Sequence, residues 1–456
     1  MRSSTDIVSP PSPVSFFEAF VYWLKLGFIS FGGPAGQIAL MHEELVERRR
    51  WISEQRFLHA LNYTMMLPGP EAQQLATYIG WLMHGTKGGI AAGILFILPS
   101  LFILIFLTWA YLAFGDRPEI AGILYGIKPA VVAIVAFAVY RIGSRAISNT
   151  VLLAISLLAF AAIFISGILY PPLLTFPYII LTAALIGLIG GRVAPDKFKT
   201  GSARGMSNKN YGPALIDDTT MRATHTQLVW SRTIAYALIG LLIWAIVIGC
   251  LYTWNGWEGT LTQIAWFFTK AALLTFGGAY AVLPYVYQGA VEHYHWLTAT
   301  QMIDGLALGE TTPGPLIMVV AFVGFVGGWT HQILGADSLV LSGIIAACVA
   351  TFFTFLPSFI FILVGAPIVE STRHNIKLTA PLSAITAAVV GVILNLAVFF
   401  AWHVFWPQGW NGNFDWLGAL MALVIFVGLW RFKWGTVPVI LGSALFGLLL
   451  TLVRAA

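Results

Sequence analysis

The feature that most constrains this chain is a set of long, uninterrupted apolar runs. The stretch from Ile234 to Leu251 holds no charged residue. A run of that length suits a helix crossing the hydrocarbon core of a bilayer, which needs about 20 apolar residues. The apolar residues are continuous and do not alternate with polar ones, so they do not read as the strands of a membrane barrel. In lipid every backbone amide must be bonded within the protein, and a helix achieves this inside one segment. Only 9% of the residues are charged, against roughly a quarter in soluble domains, so there is too little charge to solvate a surface. The expected fold is an all-α polytopic membrane protein.

Candidate spans fall at 16–33, 57–82, 89–113, 119–140, 150–168, 173–191, 229–253, 260–278, 301–328, 339–364, 378–400, 415–430 and 435–453. Some are not simple spans. The first carries Glu18 and Lys25, and 57–82 and 301–328 are each interrupted by Pro-Gly-Pro. Allowing for half-helices, about 10–13 transmembrane helices are expected. A polar segment, 192–228, divides the chain and holds Arg192, Lys197, Lys199, Arg204, Lys209 and Arg222. Its basic bias places it in the cytoplasm, and its Gly, Ser and Asn content reads as a flexible tether. The expected organisation is a tail (1–15), a first half (16–191), the linker (192–228) and a second half (229–456). Arg48, Arg49, Arg50 and Arg56 fall on the wrong side in this count. That points to a re-entrant segment after the first span, or to a miscount there. The net charge of +5 sits mostly in loops and forms no basic stripe, so no nucleic-acid partner is expected. Cys250 and Cys348 each lie in an apolar run, which reads as packing and not as a disulfide framework.

The two halves repeat one another. At an offset of 245 residues, without a gap, Lys25 falls on Lys270 and Phe31-Gly32-Gly33 on Phe276-Gly277-Gly278. Val46-Glu47 falls on Val291-Glu292, Trp51 on Trp296, Leu61 on Leu306, and Pro68-Gly69-Pro70 on Pro313-Gly314-Pro315. Further on, Leu98-Pro99-Ser100 matches Leu356-Pro357-Ser358 after a short insertion. Apolar helices resemble one another by composition, but a Lys, a Trp and two Pro-Gly-Pro at one offset do not arise that way. An odd number of crossings between the copies predicts an inverted repeat. Inverted repeats with broken helices are the signature of secondary transporters, which bind substrate near the midplane.

The breaks are the candidate site. In Phe31-Gly32-Gly33-Pro34-Ala35-Gly36-Gln37 the glycines end one helix, and Pro34 suits the first turn of the next. A helix start inside a protein offers free N–H groups and a positive dipole end to an anion. The same reading covers Pro68, Gly69 and Pro70, Gly277 and Gly278, and Pro313, Gly314 and Pro315, with Thr311 and Thr312 as hydroxyl donors. The alternative for each is a kink or a close helix contact. Lys25 and Lys270 either place positive charge near the breaks or snorkel to the interface. Glu71 and Glu310 flank the Pro-Gly-Pro breaks. Each reads as a proton-coupling switch, and Glu71 also as a first-turn residue favoured by the helix dipole. His59 and Asp304 occupy equivalent positions and are further candidates for carrying a proton. Arg48–Arg50 read as a solvated face paired with Glu43, Glu44 and Glu47, or as a funnel for anions. No Walker-A pattern, Gly-x-Ser-x-Gly elbow or metal-ligand cluster occurs in the sequence. No cofactor, metal or enzyme activity is expected.

Three runs carry a resemblance: Phe31 to Gln37, Arg49-Arg50-Trp51-Ile52, and Leu67-Pro68-Gly69-Pro70-Glu71-Ala72-Gln73-Gln74-Leu75-Ala76. With Thr275 to Tyr280 and Thr312 to Pro315, they resemble the chromate ion transporter family in its long, two-domain form, over nearly the whole length. The resemblance implies export of chromate from the bacterial cytoplasm across the inner membrane, and chromate resistance. It also implies a drive from the membrane potential or proton gradient, with sulfate as competitor or exchange partner. A sulfate or other oxyanion carrier, and a passive anion channel, remain the alternatives. The expected partners are the oxyanion, the bilayer and, in a homodimer, a second copy of the chain.

Overall fold

The computed structural model describes residues 11–115, 117–168, 176–198, 211–217, 224–276, 278–371, 379–409 and 412–455. Among them run sixteen α-helices and no strand. The first half holds α1 (Phe16–Ile29), α2 (Gly33–His42), α3 (Glu54–Thr64), α4 (Glu71–Phe114), α5 (Pro118–Ala146), α6 (Thr150–Ile168) and α7 (Phe176–Val193). Then comes α8 (Trp230–Asn255). The second half holds α9 (Thr260–Leu274), α10 (Ala279–Tyr287), α11 (Ala299–Thr311), α12 (Val319–Thr330), α13 (Leu339–Ser371), α14 (Thr379–Phe405), α15 (Trp416–Arg431) and α16 (Thr436–Ala455).

Eight of these, α4 to α8, α13, α14 and α16, are long and apolar enough to cross a membrane, so the chain is a multi-pass membrane protein. Of the other spans expected from sequence, 415–430 is the single, shorter apolar helix α15, and the rest resolve into shorter pieces. The stretch 16–33 ends at Ile29, and α2 starts four residues later; 260–278 breaks likewise between α9 and α10. The Pro-Gly-Pro segments separate α3 from α4 and α11 from α12. Helix α4 is too long for one crossing: 44 residues rise about 66 Å, twice a hydrocarbon core. It changes direction at His84 and Gly85, whose dihedrals leave the helical region. Its first segment is therefore another short helix, equivalent to α12.

The repeat holds down to backbone detail. A π-helical turn follows α2 at Glu43–Arg48 and another follows α10 at Gln288–His293, 245 residues on. Arg50 and His295, the same distance apart, both take φ 52°, a left-handed conformation uncommon in non-glycine residues. The Trp51 amide donates to the Leu45 carbonyl and the Trp296 amide to the Ala290 carbonyl, both at 2.8 Å. The next helix is capped in each copy, by Ser53 and by Thr298. A side-chain acceptor at that position satisfies an orphan N–H of the first turn. Helix α8 stands between the two copies, and among the described residues the first copy has no counterpart of it.

Contacts sort the helix ends into two groups. At one end the Val14 carbonyl meets the His84 ring at 3.0 Å, Thr86 meets Tyr236 at 2.8 Å, and Arg56 meets Glu370 at 2.7 Å. The start of α1, the α2–α3 turn, the α4 bend, the start of α8 and the end of α13 therefore lie together. At the other end Tyr111 reaches Asp304 at 3.0 Å, Tyr125 reaches Asp415 at 3.0 Å, and the Phe176 amide reaches Gln288 at 3.4 Å.

The linker was expected to be a flexible tether, and its described parts are docked. Leu215 and Ile216 donate to the carbonyls of Arg50 and Trp51, each at 3.0 Å, and Ser53 donates back to Ile216 at 2.9 Å. The His225 ring stands edge-on to Trp81 beside Gly85, at the α4 bend. Residues 199–210 and 218–223 lie outside the described chain. The docking also accounts for the misplaced arginines. Arg50 sits at the linker's own end, so the chain turns back after α1 and does not cross. Exposed Arg48 pairs with Glu43 at 2.6 Å, and half-buried Arg49 pairs with Glu44 at 2.7 Å.

Candidate substrate site

The broken helices of one half bond to those of the other. The Gly314 amide donates to the Ser30 carbonyl at 2.8 Å, and the Gly69 amide donates to the Thr275 carbonyl at 2.7 Å. Ser30 and Thr275 are repeat equivalents, as are Gly69 and Gly314. The two bonds are thus the same contact with the halves exchanged. Each glycine takes a positive φ, 124° at Gly69 and 101° at Gly314, where a side chain would be strained. A Cβ on Gly69 would lie 2.5 Å from the Ser358 hydroxyl, and one on Gly314 would lie 2.8 Å from the Ser100 Cβ. Each Pro-Gly-Pro therefore fits against the Leu-Pro-Ser of the other half.

Helix starts face these crossings without side-chain caps. The residues before α2, α4 and α10 are Gly32, Pro70 and Gly278, and none supplies a capping hydrogen bond. Their first-turn N–H groups keep the donor capacity that favours anions. At the Ser30–Gly314 crossing, the Gln37 amide nitrogen donates to the Gly314 carbonyl at 2.5 Å and to the Ser30 carbonyl at 3.3 Å. At the Gly69–Thr275 crossing, Gln74 donates to the Pro68 carbonyl at 2.8 Å and to the Ser358 hydroxyl at 3.2 Å. All three carbonyls can only accept, which fixes the orientation of both carboxamides.

The structure gathers Gly32, Gly33, Pro34, Gln37, Pro68, Gly69, Pro70, Gly278 and Pro313 to Pro315 around the two crossings. Gly277 lies outside the described residues. The Thr311 and Thr312 hydroxyls are directed into their own helix, to the Leu308 and Gly309 carbonyls. Lys25 and Lys270 differ in setting: Lys25 is exposed on α1, and Lys270 is half-buried with its ammonium 5.6 Å from the Trp266 ring centre. Among the acids, Glu71 opens α4, and buried Glu310 accepts a hydrogen bond from Tyr280. Buried Asp304 lies towards one end of the bundle, bonded by Tyr111 and 3.7 Å from Lys128. His59 lies half-buried on α3. Sequence reasoning did not single out Ser30, Ser100 or Gln74 as site residues. The repeated Leu-Pro-Ser contained the signal for Ser100.

Together these features define a multi-pass helical membrane protein built from a duplicated unit whose helices break at its centre. The chain belongs to the chromate transporter family, which matches residues 17–188 and 262–448, one stretch in each half. It is 31% identical over 450 residues to a chromate transport protein of Pseudomonas aeruginosa, covering 98% of this chain and 94% of that one. It is 28% identical over 452 residues to a chromate transport protein of Cupriavidus metallidurans, covering 94% and 92%. An uncharacterized transporter of Bacillus subtilis, YwrA, aligns with 31% of this chain at 31% identity, over 82% of its own length. No solved structure matches.

Proposed function

We propose that this chain is a secondary active transporter that exports chromate from the cytoplasm, with the two halves arranged as an inverted repeat. The observation that carries the reading is the exchanged pair of bonds, Gly314 to Ser30 and Gly69 to Thr275. It joins the four broken helices in two crossings, one the counterpart of the other, and so supports a site at the breaks, where carriers of this architecture bind substrate. The helix ends support inversion. The first half enters from the end where the linker docks. Helices α4 to α8 then make five crossings, an odd number, so the second half enters from the opposite end. The basic linker marks the first end as cytoplasmic, in the bacterial inner membrane. The whole runs as a carrier, not as an enzyme.

Export of a dianion needs no further drive. An inside-negative potential supplies about 2.3 kcal/mol per charge per 100 mV. Two charges gain roughly 4–5 kcal/mol, enough for a gradient above a thousandfold. Glu71, Glu310, His59 and Asp304 would then serve to reset the empty carrier. The test is chromate flux in everted vesicles, with potential and pH gradient set separately. Chromate should accumulate inside when the potential is interior-positive. Sulfate moving in its place would reassign the substrate, and flux that follows the potential without saturating in chromate would mean a passive channel. Reporters in the Arg50 and His295 turns should lie on opposite faces of the membrane. Finding both on one face would end the inverted arrangement.

A further inference from the structure

The two crossings share a backbone and differ in what their side chains have left to offer. At the Gly69–Thr275 crossing the polar side chains are largely engaged. The Thr275 hydroxyl donates to the Ala271 carbonyl at 2.7 Å, and the Ser358 hydroxyl takes its bond from Gln74. Among the described residues the side-chain atom left without a partner there is an acceptor, the Gln74 carboxamide oxygen. At the Ser30–Gly314 crossing the equivalent hydroxyls, Ser30 Oγ and Ser100 Oγ, are both fully buried and have no hydrogen-bond partner among the described residues. The Gln37 carboxamide oxygen beside them is likewise buried and unpartnered. All three residues converge on Gly314: Ser30 through its carbonyl, Gln37 through its amide, Ser100 against the missing Cβ.

A buried hydroxyl without a partner is costly and uncommon, so two on residues that adjoin one glycine call for an occupant. We propose that the oxyanion seat of this protein is the Ser30–Gly314 crossing, with the Ser30 and Ser100 hydroxyls donating to a tetrahedral oxyanion. The Gly69–Thr275 crossing is its structural counterpart and takes no substrate. This rests on the reading of the chain as an oxyanion carrier and locates the substrate within it. The start of α2, uncapped behind Gly32, adds backbone donors on the same side. Gln37 acts as a positioning residue: both its N–H groups hold the crossing together. Its oxygen accepts from a water bound with the anion, because an unprotonated oxyanion has no hydrogen to give it.

The seat is neutral. Among the described residues no charged side chain bonds to these groups, and Lys25 is exposed on α1. Hydroxyl and amide dipoles bind an oxyanion without holding it as a fixed ion pair would. A carrier needs that balance, since its substrate must leave as readily as it arrives.

The experiment compares Ser30→Ala, Ser100→Ala and Ser358→Ala in the full-length purified protein. Equilibrium binding and proteoliposome flux are measured for chromate, sulfate and molybdate, with thermal unfolding as the control for folding. Ser30→Ala and Ser100→Ala should each weaken binding of the preferred oxyanion roughly ten- to a hundredfold, the loss of one hydrogen bond to a charged group. Unfolding temperature should not fall. Ser358→Ala should bind within about twofold of the parent, because its partner Gln74 keeps the Pro68 carbonyl. Parent-like binding in both Ser30→Ala and Ser100→Ala, or an equal loss in Ser358→Ala, overturns the proposal. A parent that prefers sulfate to chromate corrects the substrate assignment but leaves the seat standing if the same two serines weaken sulfate. A parent that binds none of the three anions overturns both readings.

Discussion

The two ends of the bundle hold comparable ion pairs of unequal quality. At the linker end Arg56 of α3 meets Glu370 of α13 at 2.7 Å, with both side chains more than nine-tenths buried. Tyr78 donates a second bond to the same carboxylate. At the opposite end Asp304 of α11 lies 3.7 Å from Lys128 of α5, and the lysine is about a quarter exposed. In both cases a short helix of one half is tied to a long helix of the other. Arginine suits a close, buried, multiply bonded pair, and lysine a looser and wetter one. A carrier that opens alternately needs ties of this kind that can break. The present conformation is fastened more firmly at the linker end, where the linker itself also docks.

That inequality is open to direct attack, and the largest effect is expected at Arg56. Arg56→Met removes the buried cation that bonds Glu370 at 2.7 Å, which costs about 3–5 kcal/mol. Lys128→Met leaves buried Asp304 its Tyr111 bond and removes only a looser, partly exposed cation, and should cost less, roughly 1–2 kcal/mol. Thermal unfolding of the purified variants in detergent reads both. Equal losses would mean that the two ends are fastened alike. The next effect is at the crossing glycines. Gly69→Ala and Gly314→Ala each force a side chain into a positive-φ position against a buried serine, at about 1–3 kcal/mol of strain. Both should reach the membrane and lose most chromate flux. If Gly69→Ala alone kept full flux, the second crossing would not be needed to hold the first in register.

How much of this was legible in the sequence follows from which residues are rare. Lys, Trp and Pro-Gly-Pro at one offset exposed the duplication, because few positions in apolar helices tolerate them. The structure keeps that register through the π turns and the left-handed Arg50 and His295. The helix breaks were legible for the same reason, since Gly-Gly and Pro-Gly-Pro end helices wherever they occur. The reading of 16–33 and 260–278 as candidate spans came from counting apolar residues across a break. The bonding partners of the breaks could not be read. Gly314 meets Ser30 across 284 residues of chain, and only the packing of the two halves sets that pairing. Ser30 and Ser100 were passed over because a serine in an apolar helix usually bonds its own backbone, as Ser342 does here. Only the folded structure shows that theirs do not.

The smallest expected effect separates the two lysines, which the repeat makes equivalent and the fold does not. Lys270 sits beside the Trp266 ring, and Trp244 of α8 packs against that same ring. Trp244 also donates to Thr269 at 3.0 Å. The extra helix α8 therefore covers this face of α9. Among the described residues helix α1 has no such cover, and Lys25 is exposed. Lys270→Ala removes a cation–π contact worth about 0.5–2 kcal/mol and should lower stability by that order, with little change in chromate affinity. Lys25→Ala removes only an exposed charge. It should leave unfolding unchanged and slow chromate uptake into the carrier by roughly two- to fivefold at low salt, an effect that screening erases as ionic strength rises. Stopped-flow binding across a salt series measures this. A loss for Lys25→Ala that persists at high salt would mean that the lysine touches the bound anion, and the seat would then not be neutral.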